Sequence, residues 1–536
     1  MLGVGRTVAQ GRWNDKAGLI FGGGAGKVRA NYGGAAMYQD NYLIAALSAS
    51  AEGRGREVFA EVPGQDQVTF GGLFAGAERM AAALVTQGVQ PGDRVAVQVE
   101  KTIEAIQLYL GTVMAGGVFL PLNTAYTTSE VAYFLGDATP RVVVCDPAKA
   151  EEIAPIAKGA AVLTLDGAGQ GSLTDLADGQ TGFAPVARGA DDLAAILYTS
   201  GTTGRSKGAM LSHDNLLSNS ETLRGYWRFT KKDVLIHALP IFHTHGLFVA
   251  TNVALLSGAS VVFLAKFDAD AIWDAMPKAT SLMGVPTFYT RLLKDARLTK
   301  ELAANMRLFI SGSAPLLVDT HEQWEARTGH RILERYGMTE TNMSTSNPYD
   351  RERRAGTVGF PLPGVEARIR ADGAEVAQGE IGVLEVRGRN VFKGYWQMPE
   401  KTAEELLPDG WFITGDLAKV DADGYVTIVG RSKDLVITGG FNVYPKEIES
   451  LIDDLDGVLE SAVIGVPHSD FGEAVVAVVV RSDPTLTEAQ VSGPLSESLA
   501  KFKQPKQVIF LPELPRNTMG KVQKKALRES YAGLFS

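Results

Sequence analysis

Between Tyr38 and about Val429, short apolar runs alternate with segments long enough to form amphipathic helices. The runs DRVAVQV and GGVFLPLN flank the helix-like TIEAIQLYLGTVMA, and RVVVCD and SVVFL follow later in the chain. Strands separated by helices pair in parallel, because a parallel connection has to cross the face of the sheet. This alternation therefore predicts an α/β architecture with mostly parallel sheets.

The pattern changes twice toward the C-terminus. After about residue 355, short strand-like segments are separated by glycines, as in GTVGFPLPG and GYVTIVG, which predicts a small β-rich subdomain. Beyond Gly430, YPKEIESLIDDL has helical spacing, and SAVIGVP and EAVVAVVV have the pattern of strands. We therefore expect a large N-terminal domain over residues 37–431 and a small α+β C-terminal domain over residues 432–536.

Residues 1–36 differ from the rest of the chain. They are rich in Gly and Ala, contain Asp15 as their single acidic residue, and show no sustained periodicity. We interpret them as a disordered or leader segment, with Met37 as a plausible start. A basic segment that is poor in acids also fits a transit peptide, so targeting to an organelle stays an alternative.

Composition excludes several classes of protein. A net charge of −9 is opposite to the basic balance of nucleic-acid-binding proteins, and no apolar run reaches the length of a membrane span. The single cysteine, Cys145, excludes an internal disulfide and reads as a buried strand residue. One cysteine suits a reducing compartment, which favours a cytoplasmic location.

A loop rich in glycine and hydroxyl groups, YTSGTTGRSKGAM, spans Tyr198 to Met210. Backbone N–H groups and hydroxyls in such a loop can surround a phosphate, and Lys207 can neutralise its charge. The loop is not a P-loop of the NTPase type, because Lys207 is followed by Gly208 and the earlier glycines have the wrong spacing. The alternative interpretation of the loop is a plain solvated turn without a ligand. The segment that follows the loop has the pattern of a helix start.

Five motifs then occur in order: YTSGTTGRSKG, YGMTE, WFITGD, GRSKDLVITGGFNVYP and PRNTMGK. Together they resemble the adenylate-forming superfamily of acyl-CoA synthetases, luciferases and peptide-synthetase adenylation domains, and the resemblance covers nearly everything after Met37. It implies a large domain followed by a small mobile one. It also implies that ATP activates a carboxylate as an acyl-adenylate, with AMP as the leaving group for attack by coenzyme A.

The resemblance also implies roles for individual residues. Thr339 would contact the α-phosphate, and Glu340 together with Thr199 would hold Mg²⁺, a cation that prefers oxygen ligands. The remaining contacts to the phosphates, adenine and ribose would come from Thr199, Ser200, Gly201, Thr202, Thr203, Lys207, Glu334, Tyr336, Asp416 and Arg431.

Two half-reactions with different orientations of the C-terminal domain are implied as well. Lys521 would stabilise charge in the adenylation transition state. Lys433 occupies the hinge position, and the loop at Gly440 would approach the thioester site, where glycine permits close backbone contact. Acylation of Lys521 by an acetyltransferase, reversed by a deacetylase, would remove its charge and switch the enzyme off.

The acyl pocket is indicated by ALPIFHTHGLF and MGVPTFYTRLL. Arg291 at an acyl-facing position makes sense if the substrate carries a second carboxylate, which a guanidinium can bind bidentately. With FISGSAPLL and RYGMTETNMSTSNPYD, this context resembles the malonyl-CoA synthetases. Arg291 would hold the distal carboxylate of malonate, His243 would orient it, and Ser313 and Met338 would bound a short pocket that also admits methylmalonate.

Several alternatives remain open. One alternative takes Arg291 as a helix-surface residue. Another takes His243 with His245 as a metal pair, although no further His or Cys cluster stands nearby. A third takes the acid to be another short-chain, medium-chain or aromatic carboxylate. A luciferase-like oxygenase has no distinctive support, a peptide-synthetase module lacks room for a carrier domain after Lys521, and a catalytically dead adenylate binder is disfavoured by the presence of Lys521 and Glu340. The sequence does not fix the oligomeric state.

Overall fold

The computed structural model describes residues 40–199, 206–438, 441–468, 471–517 and 520–535. The α-helices are α1 Tyr42–Ala49, α2 Phe70–Thr86, α3 Ile103–Met114, α4 Thr128–Ala138, α5 Ala150–Ile153, α6 Ser172–Asp178, α7 His213–Tyr226, α8 Asn252–Ser257, α9 Ala269–Ala275, α10 Pro286–Leu293, α11 Val318–Thr328, α12 Pro399–Glu405, α13 Pro445–Asp453, α14 Glu488–Ser498 and α15 Lys524–Ser530.

The first half of the chain contributes strands β1 Val58–Glu61, β2 Val68–Thr69, β3 Arg94–Gln98, β4 Val118–Pro121, β5 Val142–Cys145, β6 Ala161–Thr164, β7 Leu193–Thr199, β8 Lys207–Ser212, β9 Val234–His237 and β10 Ser260–Phe263. The second half contributes β11 Ser281–Gly284, β12 Leu308–Ser311, β13 Leu333–Met338, β14 Asn342–Ser346, β15 Phe360–Pro361, β16 Val365–Ala371, β17 Ala374–Glu375, β18 Gly382–Gly388, β19 Phe412–Val420, β20 Val426–Arg431, β21 Val436–Thr438, β22 Phe441–Val443, β23 Val458–His468, β24 Gly472–Arg481 and β25 Gln507–Leu511.

Two sheets dominate the N-terminal part. One has the order β6-β5-β3-β4-β7-β8, and the other has the order β15-β14-β13-β12-β11-β9-β10-β1-β2. Val95 and Val97 pack into one apolar core and Ala96 into another, so both faces of the first sheet are covered. This burial on both faces is why its strands read as continuous apolar runs. The predicted α/β class is confirmed.

The remaining strands form two smaller sheets. The order β17-β16-β18-β19-β20 is antiparallel throughout, which agrees with the β-rich subdomain expected after residue 355. The last sheet, β22-β21-β24-β23 with β25 beside β24, has its own cores on its two faces. Val475 and Ala477 belong to one of these cores and Val476 and Val478 to the other. A smaller C-terminal α+β domain is therefore present, and its boundary at residues 431 and 432 stays a prediction.

The segment after the glycine-rich loop is a strand, so the expectation of a helix start there is wrong. Strands β7 and β8 form an antiparallel hairpin in which Thr199 pairs with Lys207. The helix begins only at His213, where the Ser212 side chain accepts the Asn215 N–H and Asn215 returns the bond. This capping box fixes the helix start one strand later than the loop itself indicates.

Among the helices of the described residues, none combines the length and the apolar character that crossing a bilayer requires.

His213 gives a pH prediction for stability. It is fully buried, its Nδ1 accepts the Leu43 N–H at 3.3 Å, and burial lowers its pKa to about 4. The unfolded chain binds this proton near pH 6.5, so stability is lost as pH falls below that value, by about 2 kcal/mol at pH 5. In His213→Asn, the Oδ1 of the new side chain can still accept the Leu43 N–H. We therefore expect the urea midpoint of this variant to fall less between pH 7.5 and pH 5 than that of wild type. Equal falls in both proteins would contradict a lowered pKa of His213.

Candidate active site

The YGMTE motif forms the turn between β13 and β14. A Cβ on Gly337 would overlap the carbonyl oxygen of Asn342, so glycine is required for the strands to approach this closely. Asn342 adopts a left-handed φ of 49°, and the Thr341 N–H donates to the Met338 carbonyl at 3.1 Å. The turn presents Thr339 half-buried and Glu340 buried.

Glu340 is suited to a hard cation. It is 4% exposed, and burial raises its pKa although Lys207 and Arg431 oppose that effect. Its Oε1 lies 3.1 Å from the Tyr395 hydroxyl, and within the described residues it makes no ion pair. A buried carboxylate without an ion pair is stabilised by a bound cation, so this residue fits the predicted Mg²⁺.

A second cluster gathers around Asp416 on β19. The Tyr336 hydroxyl donates to Asp416 Oδ2 at 2.5 Å, and Arg431 Nε lies 2.7 Å from Oδ1. Burial and the adjacent Asp416 raise the pKa of Tyr336 well above its usual value. The three residues predicted to hold adenine and ribose are therefore in direct contact, although Tyr336 lies 80 positions before Asp416 in the chain.

Glu334 lies on the same strand, two residues before Tyr336. Its Oε1 accepts the Leu316 N–H at 3.2 Å, and its buried Oε2 has no hydrogen-bond partner among the described residues. Burial raises the pKa of this carboxyl to about 8, which favours its neutral form. Glu334 thus offers an unsatisfied polar atom next to the Tyr336–Asp416 cluster.

The phosphate loop is only partly described. Thr199 ends β7, half-buried, and its hydroxyl donates to the Lys207 carbonyl at 3.4 Å. Ser200, Gly201, Thr202 and Thr203 lie outside the described residues, as does Gly440. Lys207 itself bonds to Glu405 and Tyr395 at the edge of the Glu340 site.

Lys521 belongs to the C-terminal domain, and its backbone is bonded to Asn517. Its N–H donates to Asn517 Oδ1 at 2.9 Å, and the Asn517 N–H donates to its carbonyl at 2.9 Å. The side chain keeps solvent contact, although protein surrounds it. The surrounding protein and then Arg431 lower its pKa, and Asp416 and Glu340 oppose them, so the ammonium is within electrostatic range of both carboxylates.

The predicted hinge residue lies between the β20 and β21 strands. Lys433 is exposed in a single 3₁₀ turn, Ser432–Asp434, and the Ser432 hydroxyl donates to the Gly415 carbonyl at 3.0 Å. Asp434 is paired with Arg528 of α15 at 2.9 Å. The turn therefore connects the two domains, and its role as a pivot stays a prediction.

The two histidines of FHTHG lie at the start of a π-helical segment, His245–Thr251. His243 Nδ1 accepts the His245 N–H at 3.4 Å, and burial lowers its pKa to about 3, so the ring is neutral. His245 Nδ1 lies 3.4 Å from the hydroxyl of Ser313, which has a left-handed φ of 72°. Strained backbone and π-helical turns both occur preferentially at functional sites. The described residues contain no group of three or more His, Cys, Asp or Glu side chains placed to bind a metal together.

Arg335 is the site residue that the sequence reasoning missed. It is 2% exposed, its Nε and Nη2 have no hydrogen-bond partner in the described part of the chain, and burial lowers its pKa to about 9. A Cβ on Gly312 would lie 2.5 Å from its guanidinium carbon, and its charge lowers the pKa of both His243 and His245. An arginine within a buried strand, directly before YGMTE, was the available signal.

Arg291 is exposed, unlike the buried Arg335. It lies on the last turn of α10, with its guanidinium 5.5 Å from the centre of the Phe267 ring. It lines a cavity of about 250 Å³ together with Thr287, Phe288, Arg516, Asn517 and Gly520, the last of which directly precedes Lys521. Within the described residues, no hydrogen bond joins Arg291 to either histidine. Met338 is half-buried next to Tyr336, whose hydroxyl lies 3.8 Å from its sulfur.

These arrangements agree with the comparisons to known proteins. Residues 47–396 match the AMP-binding enzyme family, and residues 447–521 match the C-terminal domain of AMP-binding enzymes. The chain belongs to the AMP-binding enzyme family.

Two individual proteins are similar to this chain over most of its length. A malonate–CoA ligase of Arabidopsis thaliana is 36% identical over 480 residues, covering 83% of this chain and 79% of its own. The crystal structure of ATP-bound MatB from Rhodopseudomonas palustris is 63% identical, covers 93% of this chain and 100% of its own, and gives a TM-score of 0.91. The apo structure of the same protein, with the same identity and coverage, gives a TM-score of 0.81. The structure described here is therefore closer to the ATP-bound arrangement.

A test of the YGMTE turn follows from Gly337. In Gly337→Ala the new methyl group displaces the β14 backbone and moves Thr339 and Glu340. Because errors of about 1 Å in a site can cost a hundredfold, we expect ATP-dependent AMP release to fall by at least about that factor. Gly225→Ala in α7, where a Cβ meets nothing within 4 Å, is the matched control. Full activity of the Gly337 variant would mean that the turn does not position these residues.

Proposed function

We propose that this protein is an AMP-forming acid–thiol ligase that joins malonate, and also methylmalonate, to coenzyme A. The reaction would consume ATP, pass through an acyl-adenylate, and release pyrophosphate and AMP. The observation that carries the choice of acid is the buried Arg335, whose guanidinium has unpaired N–H groups next to two neutral histidines.

The argument for a dicarboxylate rests on the cost of a buried charge. An unpaired guanidinium is strongly unfavourable in a protein interior, and a second carboxylate on the substrate would compensate it with bidentate hydrogen bonds. An aliphatic chain in the same place would leave the charge unpaired. The names of the similar proteins, a malonate–CoA ligase and MatB, support the same acid.

The other pocket residues have complementary roles in this proposal. Since His243 Nδ1 accepts a backbone N–H, its proton is on Nε2, where it can donate to a substrate oxygen. Ser313 and Met338 would limit the length of the pocket. Arg291, at the interface with the Lys521 turn, remains a second candidate for the distal carboxylate, and the variants below separate it from Arg335.

In the adenylation step, a carboxylate oxygen of the acid would attack the α-phosphorus of ATP as the bond to the bridging oxygen breaks. Lys521, within electrostatic range of Glu340 and Asp416, would offset the negative charge that develops, with Thr339 contacting the α-phosphate. Asp416, Arg431, Tyr336 and Glu334 would hold the nucleoside. A Mg²⁺ ion on Glu340 and Thr199 would neutralise phosphate charge.

In the second step, the thiol of coenzyme A would attack the acyl carbon and expel AMP. We propose that the domain of residues 432–536 turns about Lys433 between the steps, withdrawing Lys521 and bringing the Gly440 loop to the thioester site. The different TM-scores against the ATP-bound and apo structures of one relative support such rearrangement within the family.

The decisive experiment compares acids and arginine variants. Wild type should release AMP fastest with malonate in a panel with methylmalonate, succinate, acetate, butyrate, octanoate and a hydroxycinnamate. Arg335→Met should lower kcat/KM for malonate by at least about a hundredfold, because a buried polar partner is lost, while leaving acetate use unchanged. Arg291→Met makes the same change at the second candidate and is measured beside it.

Three outcomes would revise this proposal. If only Arg291→Met lowers kcat/KM for malonate, Arg291 and not Arg335 binds the distal carboxylate. Preference of the wild type for a monocarboxylate would remove malonate and leave an acyl-CoA synthetase for another acid. If Arg335→Met does not fold, Gly312→Ala displaces the same guanidinium through a methyl group 2.5 Å from its carbon, and unchanged malonate kinetics in that variant would reject the role of Arg335.

Acylation of Lys521 belongs to the same proposal. The side chain keeps solvent contact, and the domain rotation proposed above would withdraw it from the cleft to where an acetyltransferase can reach it. Acetylation would remove the charge required for adenylation. We expect protein acetylated at Lys521 to lose at least about a hundredfold in adenylation rate, with recovery after deacetylation. The rate is measured as malonate-dependent ATP–pyrophosphate exchange. Full activity of the modified protein would exclude this regulation.

The proposed location is the cytoplasm, consistent with one buried cysteine. Whether residues 1–36 form a leader is tested by the intact mass of the native protein.

A further inference from the structure

The ammonium group of Lys207 is held in a cluster next to the Glu340 site. Its Nζ lies 3.2 Å from Glu405 Oε1, 3.1 Å from Glu405 Oε2 and 3.1 Å from the Tyr395 hydroxyl oxygen. Lys401 approaches Glu405 Oε1 at 2.9 Å from the preceding turn of α12. Lys207 is therefore bound by side chains from the β-rich part of the fold, 188 or more residues away in sequence.

This cluster uses all the hydrogen-bonding capacity of Lys207. A lysine ammonium has three N–H donors, and three acceptor atoms lie within 3.2 Å of it. The Tyr395 hydroxyl also donates to Glu405 Oε2 at 2.5 Å and lies 3.1 Å from Glu340 Oε1, which connects the cluster to the proposed metal ligand. Lys207 can donate to a phosphate only after at least one of these bonds is broken.

We propose that Glu405 is a positioning residue that binds Lys207 whenever the phosphate site is empty and competes for it with the phosphates of ATP and pyrophosphate. The inference rests on the proposed function, because it takes Lys207 to be a phosphate ligand. Glu405 acts through Lys207 and does not contact the nucleotide itself.

The competition has a consequence for turnover. Phosphate binding must replace a charge-assisted pair that is only about one-fifth exposed, so Glu405 weakens the binding of ATP and of pyrophosphate. After adenylation, return of Lys207 to Glu405 favours departure of pyrophosphate. Glu405 thus opposes the reverse reaction, in which bound pyrophosphate attacks the acyl-adenylate.

The test is the affinity of the full-length protein for magnesium pyrophosphate, measured by isothermal titration calorimetry without any acid. Glu405→Gln keeps the size of the side chain and removes its charge, so we expect pyrophosphate to bind about threefold to tenfold more tightly than to wild type. Structural damage to the site would weaken binding instead. Product inhibition by pyrophosphate should strengthen by a similar factor.

Glu404→Gln is the matched control. Glu404 is the adjacent residue on α12, is 64% exposed, and is paired with Lys401, so this variant changes net charge equally without touching Lys207. Its pyrophosphate affinity should equal that of wild type. In Lys207→Ala, the added change Glu405→Gln should no longer tighten binding, because the competing lysine is absent.

The outcomes separate the two proposals. If wild type binds neither ATP nor pyrophosphate, the proposed function fails. If wild type binds both and Glu405→Gln leaves the affinity unchanged or weakens it, competition by Glu405 is rejected while the proposed function stands. Equal tightening in the Glu404 and Glu405 variants would assign the effect to net charge and would also reject the inference.

Discussion

The candidate site depends on the alternation of side chains along β13. Ile310 and Ser311 of β12 pair in parallel with Leu333 and Glu334, and the strand then continues into an antiparallel hairpin with β14. Successive residues of a strand point to opposite faces, so Glu334 and Tyr336 share one face, where they bond to the Leu316 N–H and to Asp416, while Arg335 between them lies against Gly312. In the proposed function, this short strand separates the residues that would hold the nucleotide from the arginine that would hold the acid.

Buried charged side chains determine what the candidate active site can bind. Arg335 and Glu340 are buried without ion pairs in the described part of the chain, and Asp416 is buried but paired with Arg431. Unpaired groups cost free energy in the empty protein, and a ligand of opposite charge recovers it. The unpaired groups therefore indicate where ligands bind, and paired groups such as Lys207 and Glu405 indicate where a ligand has to compete.

The smaller C-terminal domain contributes one residue of the candidate site, Lys521. It has its own cores, so it can move as a unit, and it supplies Lys521 to a cleft whose other walls are N-terminal. The closer match to an ATP-bound relative than to its apo form fits a domain orientation with Lys521 at the nucleotide clusters. In the proposed function, a lysine on a separate domain would allow one cleft to serve both steps.

Much of the fold was predictable from the sequence, because the periods of apolar residues follow directly from helix and strand geometry. The α/β class, the later β-rich segment and the C-terminal α+β domain were recognised in this way. The strand after the phosphate loop was not, since a six-residue segment ending in a capping box resembles a helix start until its pairing with β7 is known.

The sequence by itself determined the order of the motifs and therefore the family, because these motifs carry their residue types at fixed local spacing. Only the tertiary structure decided that Arg335 is buried and unpaired, that Arg291 is exposed at the Lys521 turn, and that Glu405 binds Lys207. Burial and pairing arise between residues tens to hundreds of positions apart, and no local pattern in the chain encodes those distances.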